Sequence, residues 1–403
     1  MEKLTTVIEI TDTQIRLAIG NDKDGKINLT HVCERPINGL ISQGNILDFQ
    51  TLSQILSSMR EYKDESTKEK VIINEATVVL PSFGLQVFQS QKTTNVVSPY
   101  SMVATIDIEN VVSLVQKEIV PSGSEIIDII PDSFVLDMGR SFLLPPVGEK
   151  SNSITINAKI HTLPTRLVSE YKRVVEASRI KVRRLCVSSY AMAELSKHIS
   201  DIPSSYILVD MGAEITNLSL IGNHTPFQTI SFVKGGNDLI KRIVDNLRIT
   251  SEEALDLLKK YGLDERPLSY KPIISSSSID GTVHNYEPSI LNMIIKQFFM
   301  EEFFNQFDVA FEQLMKSYPE TVRQLPIVFT GGLSKMVGFE SLAKIKFAKN
   351  SSIHYLEPKT IGARDSRFSA IIGAMYVSKT YKGALSDVRV KGQELTRSKD
   401  EEK

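Results

Sequence analysis

Apolar and polar positions alternate through the start of the chain. Val7-Ile8-Glu9-Ile10 is followed by the polar Thr11-Asp12-Thr13, then by Ile15-Arg16-Leu17-Ala18-Ile19-Gly20. The turn-forming run Asn21-Asp22-Lys23-Asp24-Gly25 leads into Ile27-Asn28-Leu29-Thr30-His31-Val32. This spacing predicts three strands joined by two tight turns. Leu52, Ile55, Leu56 and Met59 then recur at helical spacing, and Ala76-Thr77-Val78-Val79-Leu80 reads as a strand closed by Pro81.

From residue 84 to 164 the pattern changes to a polar strand pair, a helix around 110–118 and a strand at 126–130. Ile154-Thr155-Ile156-Asn157-Ala158-Lys159-Ile160 alternates strictly. That content suits a small α+β unit inserted into the first lobe. A helix follows over 166–178.

The opening pattern then returns. Tyr206-Ile207-Leu208-Val209-Asp210-Met211-Gly212, Asn217-Leu218-Ser219-Leu220-Ile221-Gly222 and Phe227-Gln228-Thr229-Ile230-Ser231-Phe232 repeat the three-strand meander, with Asp210 in the place of Glu9. Two copies of one meander, each leading to helices, imply two related lobes facing a cleft. A helical region over 239–261 and one long helix over 289–317 are expected next. In the long helix, Ile290, Ile294, Phe298, Phe304, Phe307, Phe311 and Leu314 have core spacing. Pro326-Ile327-Val328-Phe329-Thr330 enters a Gly331-Gly332 turn and another helix, and a last helix over 367–379 carries the small residues Ala370, Gly373 and Ala374.

Composition narrows the class. Among 403 residues, 47 Lys+Arg nearly cancel 48 Asp+Glu, so no global basic field favours nucleic acid. Cys33 and Cys186 are too few and too far apart for a disulfide scaffold or a zinc module, and suit a cytoplasmic location. The six His are scattered, so no metal site is expected among them. The N-terminus has no signal-peptide pattern, and no run approaches the ~18 apolar residues of a membrane span. The stretch 381–403 holds six basic and five acidic side chains and few apolar ones. It reads as a solvated tail without the apolar face of an interfacial helix, and no direct membrane anchor is expected. Lys181, Arg183 and Arg184 read as a solvated face.

In a two-lobed cleft, the first turn of each meander offers backbone N–H groups to a phosphate, and an acid at the strand end can hold hydrated Mg²⁺. The strand–glycine–helix element places a helix N-terminus nearby. Candidate contacts are Thr11, Thr13 and Gln14 in the first turn, Asp210, Gly212, Ala213 and Thr216 in the second, then Gly235, Gly236, Gly331 and Gly332. Asp210 is the candidate for Mg²⁺, held through water.

With these elements in order, the chain resembles the actin, sugar-kinase and chaperone ATPase superfamily, and within it the bacterial cell-division FtsA family, over about residues 4–380. The stretches carrying the resemblance include Gly39-Leu40 with Gln43-Gly44, Pro146-Val147-Gly148, Ser188-Ser189-Tyr190-Ala191, Gly235-Gly236-Asn237-Asp238, Glu287-Pro288 and Val328-Phe329-Thr330-Gly331-Gly332. The position of the insert belongs to that family rather than to actin.

The resemblance implies an α/β, actin-like (ribonuclease H-like) two-lobed fold. The first lobe takes 1–83, 165–205 and 361–380, and the insert 84–164. The second lobe has its core in 206–232 and 325–360 and an outer subdomain in 233–324; the tail is 381–403. It also implies self-association into filaments and binding of the C-terminal tail of FtsZ by the outer subdomain, with Glu287, Ser289 and Asn292 as candidate contacts, at a division site reached through partners. A related pilus-assembly scaffold is the alternative, and a sugar-kinase-like phosphotransferase fits less well.

The departures bear on activity. Where the family has Asp-Ile-Gly-Thr-Ser-Lys, this chain reads Glu9-Ile10-Thr11-Asp12-Thr13-Gln14. Where it has Asp-Ile-Gly-Gly-Gly-Thr-Thr-Asp, the chain reads Asp210-Met211-Gly212-Ala213-Glu214-Ile215-Thr216-Asn217. Its Ala-Glu-x-x-Lys appears as Ala254-Leu255-Asp256-Leu257-Leu258, and its Glu-Pro-Arg as Glu287-Pro288-Ser289. Acids gained at both phosphate turns and a lysine lost lead to the expectation that ATP and Mg²⁺ bind weakly or not at all. At most a weak ATPase is expected.

Overall fold

The computed structural model describes residues 4–63, 68–263, 274–277, 281, 283–347 and 352–378. The expected tail, most of the serine-rich 275–278 surroundings and the end of the last helix lie outside them in whole or in part.

Two five-stranded sheets share one plan. In the first lobe the order is Lys26–Pro36, Gln14–Lys23, Thr5–Ile10, Glu75–Leu80, Lys181–Val187. In the second it is Thr225–Phe232, Thr216–Gly222, Tyr206–Met211, Ile327–Thr330, Ile353–Tyr355. Each begins as an antiparallel meander and continues with two parallel strands. The predicted repeat is therefore structural. The first strands are apolar on both faces because helices cover them: Val7, Ile8, Ile207 and Val209 are wholly buried.

Within the first lobe, helix Ser369–Val377 crosses Ser188–Ser196 at backbone contact. A Cβ at Gly373 would stand 1.8 Å from the Ala191 carbonyl oxygen. The small residues of the last helix thus exist for close approach. Gly373→Ala is expected to lower stability by about 1–3 kcal/mol despite alanine's better helix propensity, read as a shifted denaturant midpoint.

Between Gln86 and Pro164 lies a four-stranded antiparallel sheet, ordered Ser141–Phe142, Ser124–Leu136, Ser153–Pro164, Gln86–Asn95. Helix Thr105–Gln116 covers it with Ile108, Val111, Val112 and Val115. The expected polar strand pair is instead one long strand, Gln86–Asn95, paired along its length with Ser153–Pro164. Alternate burial along the latter gives way to burial on both faces after Ala158, where the strand runs between lobes. There Lys159 lies 4.2 Å from the Phe227 ring centre, on the second lobe. Arg184 donates to Asp128 at 3.1 Å, tying the insert to the first lobe. The basic run at 181–184 is thus only partly a solvated face: Arg183 pairs with Glu75 outside, while Arg184 is turned inward.

In the second lobe, the helical region after Phe232 divides into Gly236–Leu247 and Ser251–Lys260, because Arg248 adopts a left-handed conformation (φ 56°) and Thr250 caps the second helix. The long helix is continuous from Pro288 to Ser317 but widens to a π-turn at Phe298–Phe303. In a π-turn, residues five apart fall on one face. Phe298 with Phe303 and Phe299 with Phe304 are spaced that way, and all four are essentially inaccessible.

Candidate functional site

A cleft of about 1360 Å³ opens between the lobes, lined by the first turn of each meander, by Gly331-Gly332 and by the helices Gly236–Leu247 and Ser251–Lys260. The duplicated sheets place their strand-end acids in equivalent positions. Glu9 stands directly across the ladder from Arg16, and Asp210 directly across from Asn217.

The two acids differ in their partners. Arg16 donates to Glu9 at 3.0 Å and to the Gln14 side-chain oxygen at 3.0 Å, and lies 3.5 Å from Glu34. Burial raises the Glu9 carboxyl above its ordinary range, with Arg16 opposing. Among the described residues Asp210 makes no ion pair, and Arg16 reaches it only through the field of its charge. Burial, reinforced by the charge of Glu9, pushes it up to about 7, with a hydrogen bond from Asn217 working the other way. Loss of the family's lysine at Gln14 is answered by Arg16, two residues on and on the same strand face, but this cation is committed to Glu9.

The first turn closes on itself: Thr11 N–H and Oγ1 donate to the Gln14 carbonyl, and Gln14 N–H to Thr11 Oγ1. The acids gained at both turns share a target. Asp12 Oδ1 accepts from Gly44 N–H at 3.2 Å. Glu214 Oε2, on the other lobe, accepts from Gln43 N–H at 2.9 Å and from Ser42 Oγ at 3.0 Å. Burial pushes Asp12 up to about 6, the Gly44 bond opposing and the nearby Glu214 adding to the rise.

The glycines are needed where backbone meets backbone. Gly331 has φ +88°, and a Cβ there would lie 2.4 Å from the Met211 carbonyl oxygen. Gly331-Gly332 leads into a single 3₁₀ turn, Leu333–Lys335, and helix Phe339–Lys346 starts only after Gly338, so no helix N-terminus follows the glycine pair directly. At the neighbouring helix, Gly236 N–H and Asn237 N–H donate to the Gly212 and Ala213 carbonyls.

Thr11, Thr13, Gln14, Asp210, Gly212, Ala213, Gly236, Gly331 and Gly332 all line the cleft. Thr216 and Gly235 stand behind it: Thr216 Oγ1 donates to the Lys234 carbonyl, and Gly235 packs on Ala213. Glu287, Ser289 and Asn292 are outside the cleft lining, at the start of helix Pro288–Gln297, where Ser289 donates to Glu287. Leu255 and Leu258 do face the cleft, beside Ile240, Val244 and Met336. Sequence reasoning missed Arg16 and the Ile41–Ile46 hairpin as site elements. The signal for Arg16 was a lone charge in a largely apolar stretch; for the hairpin it was Gln43-Gly44, among the stretches that carry the resemblance.

Tested as a nucleotide site, the cleft fits unevenly. Its apolar end suits a nucleobase. At the phosphate end, several loop N–H groups already have partners. The acids Glu9, Asp12, Asp210 and Glu214 line the cleft with the cations Arg16, Lys335 and Arg367, each of which is paired with a carboxylate, and Lys241 and Lys259 line it as well. Among the described residues no three His, Cys, Asp or Glu side chains stand together as metal ligands.

Two meander-plus-parallel sheets around such a cleft are the actin-like ATPase fold. The structure is similar to that of a PilM-PilN type IV pilus biogenesis complex (TM-score 0.59, 15% identity, 95% of this chain and 99% of the other). It is also similar to MreB5 of Spiroplasma citri bound to AMPPNP (TM-score 0.55, 13% identity, 94% and 96%). At these identities the likeness shows the fold alone. In sequence the chain is similar to cell division protein FtsA of Streptococcus pneumoniae serotype 2 (strain D39 / NCTC 7466), 23% identical over 97% of this chain and 83% of that one. It is likewise 23% identical to FtsA of Bacillus subtilis (strain 168), over 98% and 86%, and 21% identical to FtsA of Neisseria meningitidis serogroup B (strain ATCC BAA-335 / MC58), over 95% and 92%. No family model matches the chain. The chain is a divergent FtsA-like member of the actin-like superfamily.

Proposed function

We propose that this protein is an actin-like scaffold of bacterial cell division that binds the C-terminal tail of FtsZ, associates with copies of itself and holds nucleotide weakly. The observation carrying this reading is sequence similarity to cell division protein FtsA along almost the whole chain, insert included. The outer part of the second lobe supplies a surface for a peptide: helix Pro288–Gln297 and the π-turn leave Met293 and Met300 half exposed beside exposed Lys296. Methionine side chains adapt to varied apolar partners.

Titration of an FtsZ tail peptide into the purified chain is expected to give saturable binding in the micromolar range. Ser289→Arg, which supplies the cation present in the family, is expected to tighten it about threefold to tenfold for an acidic tail. Absence of binding at hundreds of micromolar rejects the division role.

The likeness to the PilM-PilN complex favours a pilus-assembly scaffold as the second reading. Binding of PilN in place of the FtsZ peptide would select it.

No helix among the described residues is long and apolar enough to cross a membrane.

A further inference from the structure

The hairpin Ile41–Ile46 belongs to the first lobe, and its two turn residues are both left-handed: Gln43 has φ 49° and Gly44 φ 75°. A two-residue turn of this kind leaves its own N–H groups outside the ladder. Here both end on carboxylates rather than on water. Asp12, from the same lobe, takes Gly44. Glu214, from the opposite lobe, takes Gln43 N–H and the Ser42 hydroxyl with one oxygen. Glu214 sits in the tight turn between Tyr206–Met211 and Thr216–Gly222, where Gly212 N–H closes on the Ile215 carbonyl, so its backbone is fixed to the sheet of the second lobe. The bonds therefore join this separate hairpin of the first lobe to a turn of the second lobe, with Gly44 and Glu214 both lining the cleft. Hydrogen bonds with an ionised acceptor are the stronger kind, and successive backbone N–H groups in a turn attract anions.

We propose that Glu214 is an internal substitute for an anionic ligand: its carboxylate clasps the Ser42-Gln43 turn, holds the lobes together without bound nucleotide, and must be displaced before a polyphosphate can reach the two turns. Naming a nucleoside polyphosphate as the displaced ligand rests on the proposed function. The clasp itself does not, since every bond in it is made within the chain. Asp12 supports the hairpin from below, so that Glu214 meets a turn already oriented. The acid thereby does two things: it closes the cleft and presents a negative charge to any competing anion.

The test uses the full chain with neither nucleotide nor partner added. Hydrogen exchange is followed at the Gln43 amide in the parent, Glu214→Gln, Glu214→Ala and Ser42→Ala proteins, with small-angle scattering on the same samples. The clasp requires Gln43 exchange at least tenfold faster in Glu214→Ala, an intermediate rate in Glu214→Gln, and a larger radius of gyration in Glu214→Ala. Amides of strand Tyr206–Met211 keep their protection, which shows that the variant is folded. Ser42→Ala removes one bond from the other lobe and is expected to speed Gln43 exchange several-fold; it serves in place of Glu214→Ala if that variant does not fold. Equal Gln43 exchange and equal radius in the folded variants overturn the proposal. Because FtsZ-tail titration is a separate measurement, loss of the division role leaves this result standing, and the reverse holds too.

Discussion

Arg16→Met is expected to destabilise the protein by about 3–5 kcal/mol at neutral pH, the cost of leaving a buried carboxylate without its cation. Arg16 and Glu9 are each about 7% exposed, and the guanidinium also holds Gln14 and approaches Glu34. Glu9 is already raised by burial, so without Arg16 its carboxyl takes up a proton more readily. A folded-state pKa above the unfolded value means more protons bound in the native protein, and stability that falls as pH rises. The deficit of Arg16→Met should accordingly be largest above pH 7 and shrink towards pH 4, as Glu9 becomes protonated in both states. Urea midpoints at both pH values check this. A deficit independent of pH would mean that Arg16 acts through packing, over Phe368 for example, rather than by neutralising Glu9.

Asp12→Thr combined with Glu214→Gly, the residues of the family pattern at these turns, is expected to raise the affinity for Mg-ATP about 100-fold. Each carboxylate a few ångströms from a phosphate costs about 1–2 kcal/mol at an intermediate dielectric, and 1.4 kcal/mol is a factor of ten. Removing Glu214 also frees the Gln43 amide and the Ser42 hydroxyl for a ligand. Calorimetric titration of the double variant against the parent measures the gain. If both bind alike, the limiting defect lies at the nucleoside end instead, where Leu255 and Leu258 occupy the places of the family's Glu and Lys.

The duplicated architecture was legible because it is written in local pattern. Strand alternation, turn residues and the recurrence of an acid at the end of a strand survive in any single stretch of sequence. Glu9 and Asp210 could be equated before their sheets were seen. The alternation at 154–160 likewise announced a strand, and burial follows it as far as Ala158, beyond which the second lobe covers the other face as well. The π-turn was hidden for a related reason. The aromatic series satisfied helical spacing well enough, and the five-apart contacts Phe298–Phe303 and Phe299–Phe304 exist only in the folded helix.

The cleft's electrostatics were legible only by composition. The acids at positions 12 and 214 could be named as departures from the family, and a charge near phosphate is unfavourable wherever the ligand lies. Their geometry could not be named. Asp12 is 32 residues from Gly44, and Glu214 is 171 from Gln43; no periodicity relates such positions. The same holds for Lys159 against Phe227 and for Gly373 against the Ala191 carbonyl.

By itself the sequence determined the strands, the repeat, the insert's strand–helix content and the identity of the cleft-lining turns, because these depend on residue spacing and on backbone preferences within a few neighbours. Only the tertiary structure decided which charges are paired, which N–H groups remain open to a ligand, and that the two lobes are joined by a carboxylate, because those outcomes depend on where distant segments meet once water has been excluded.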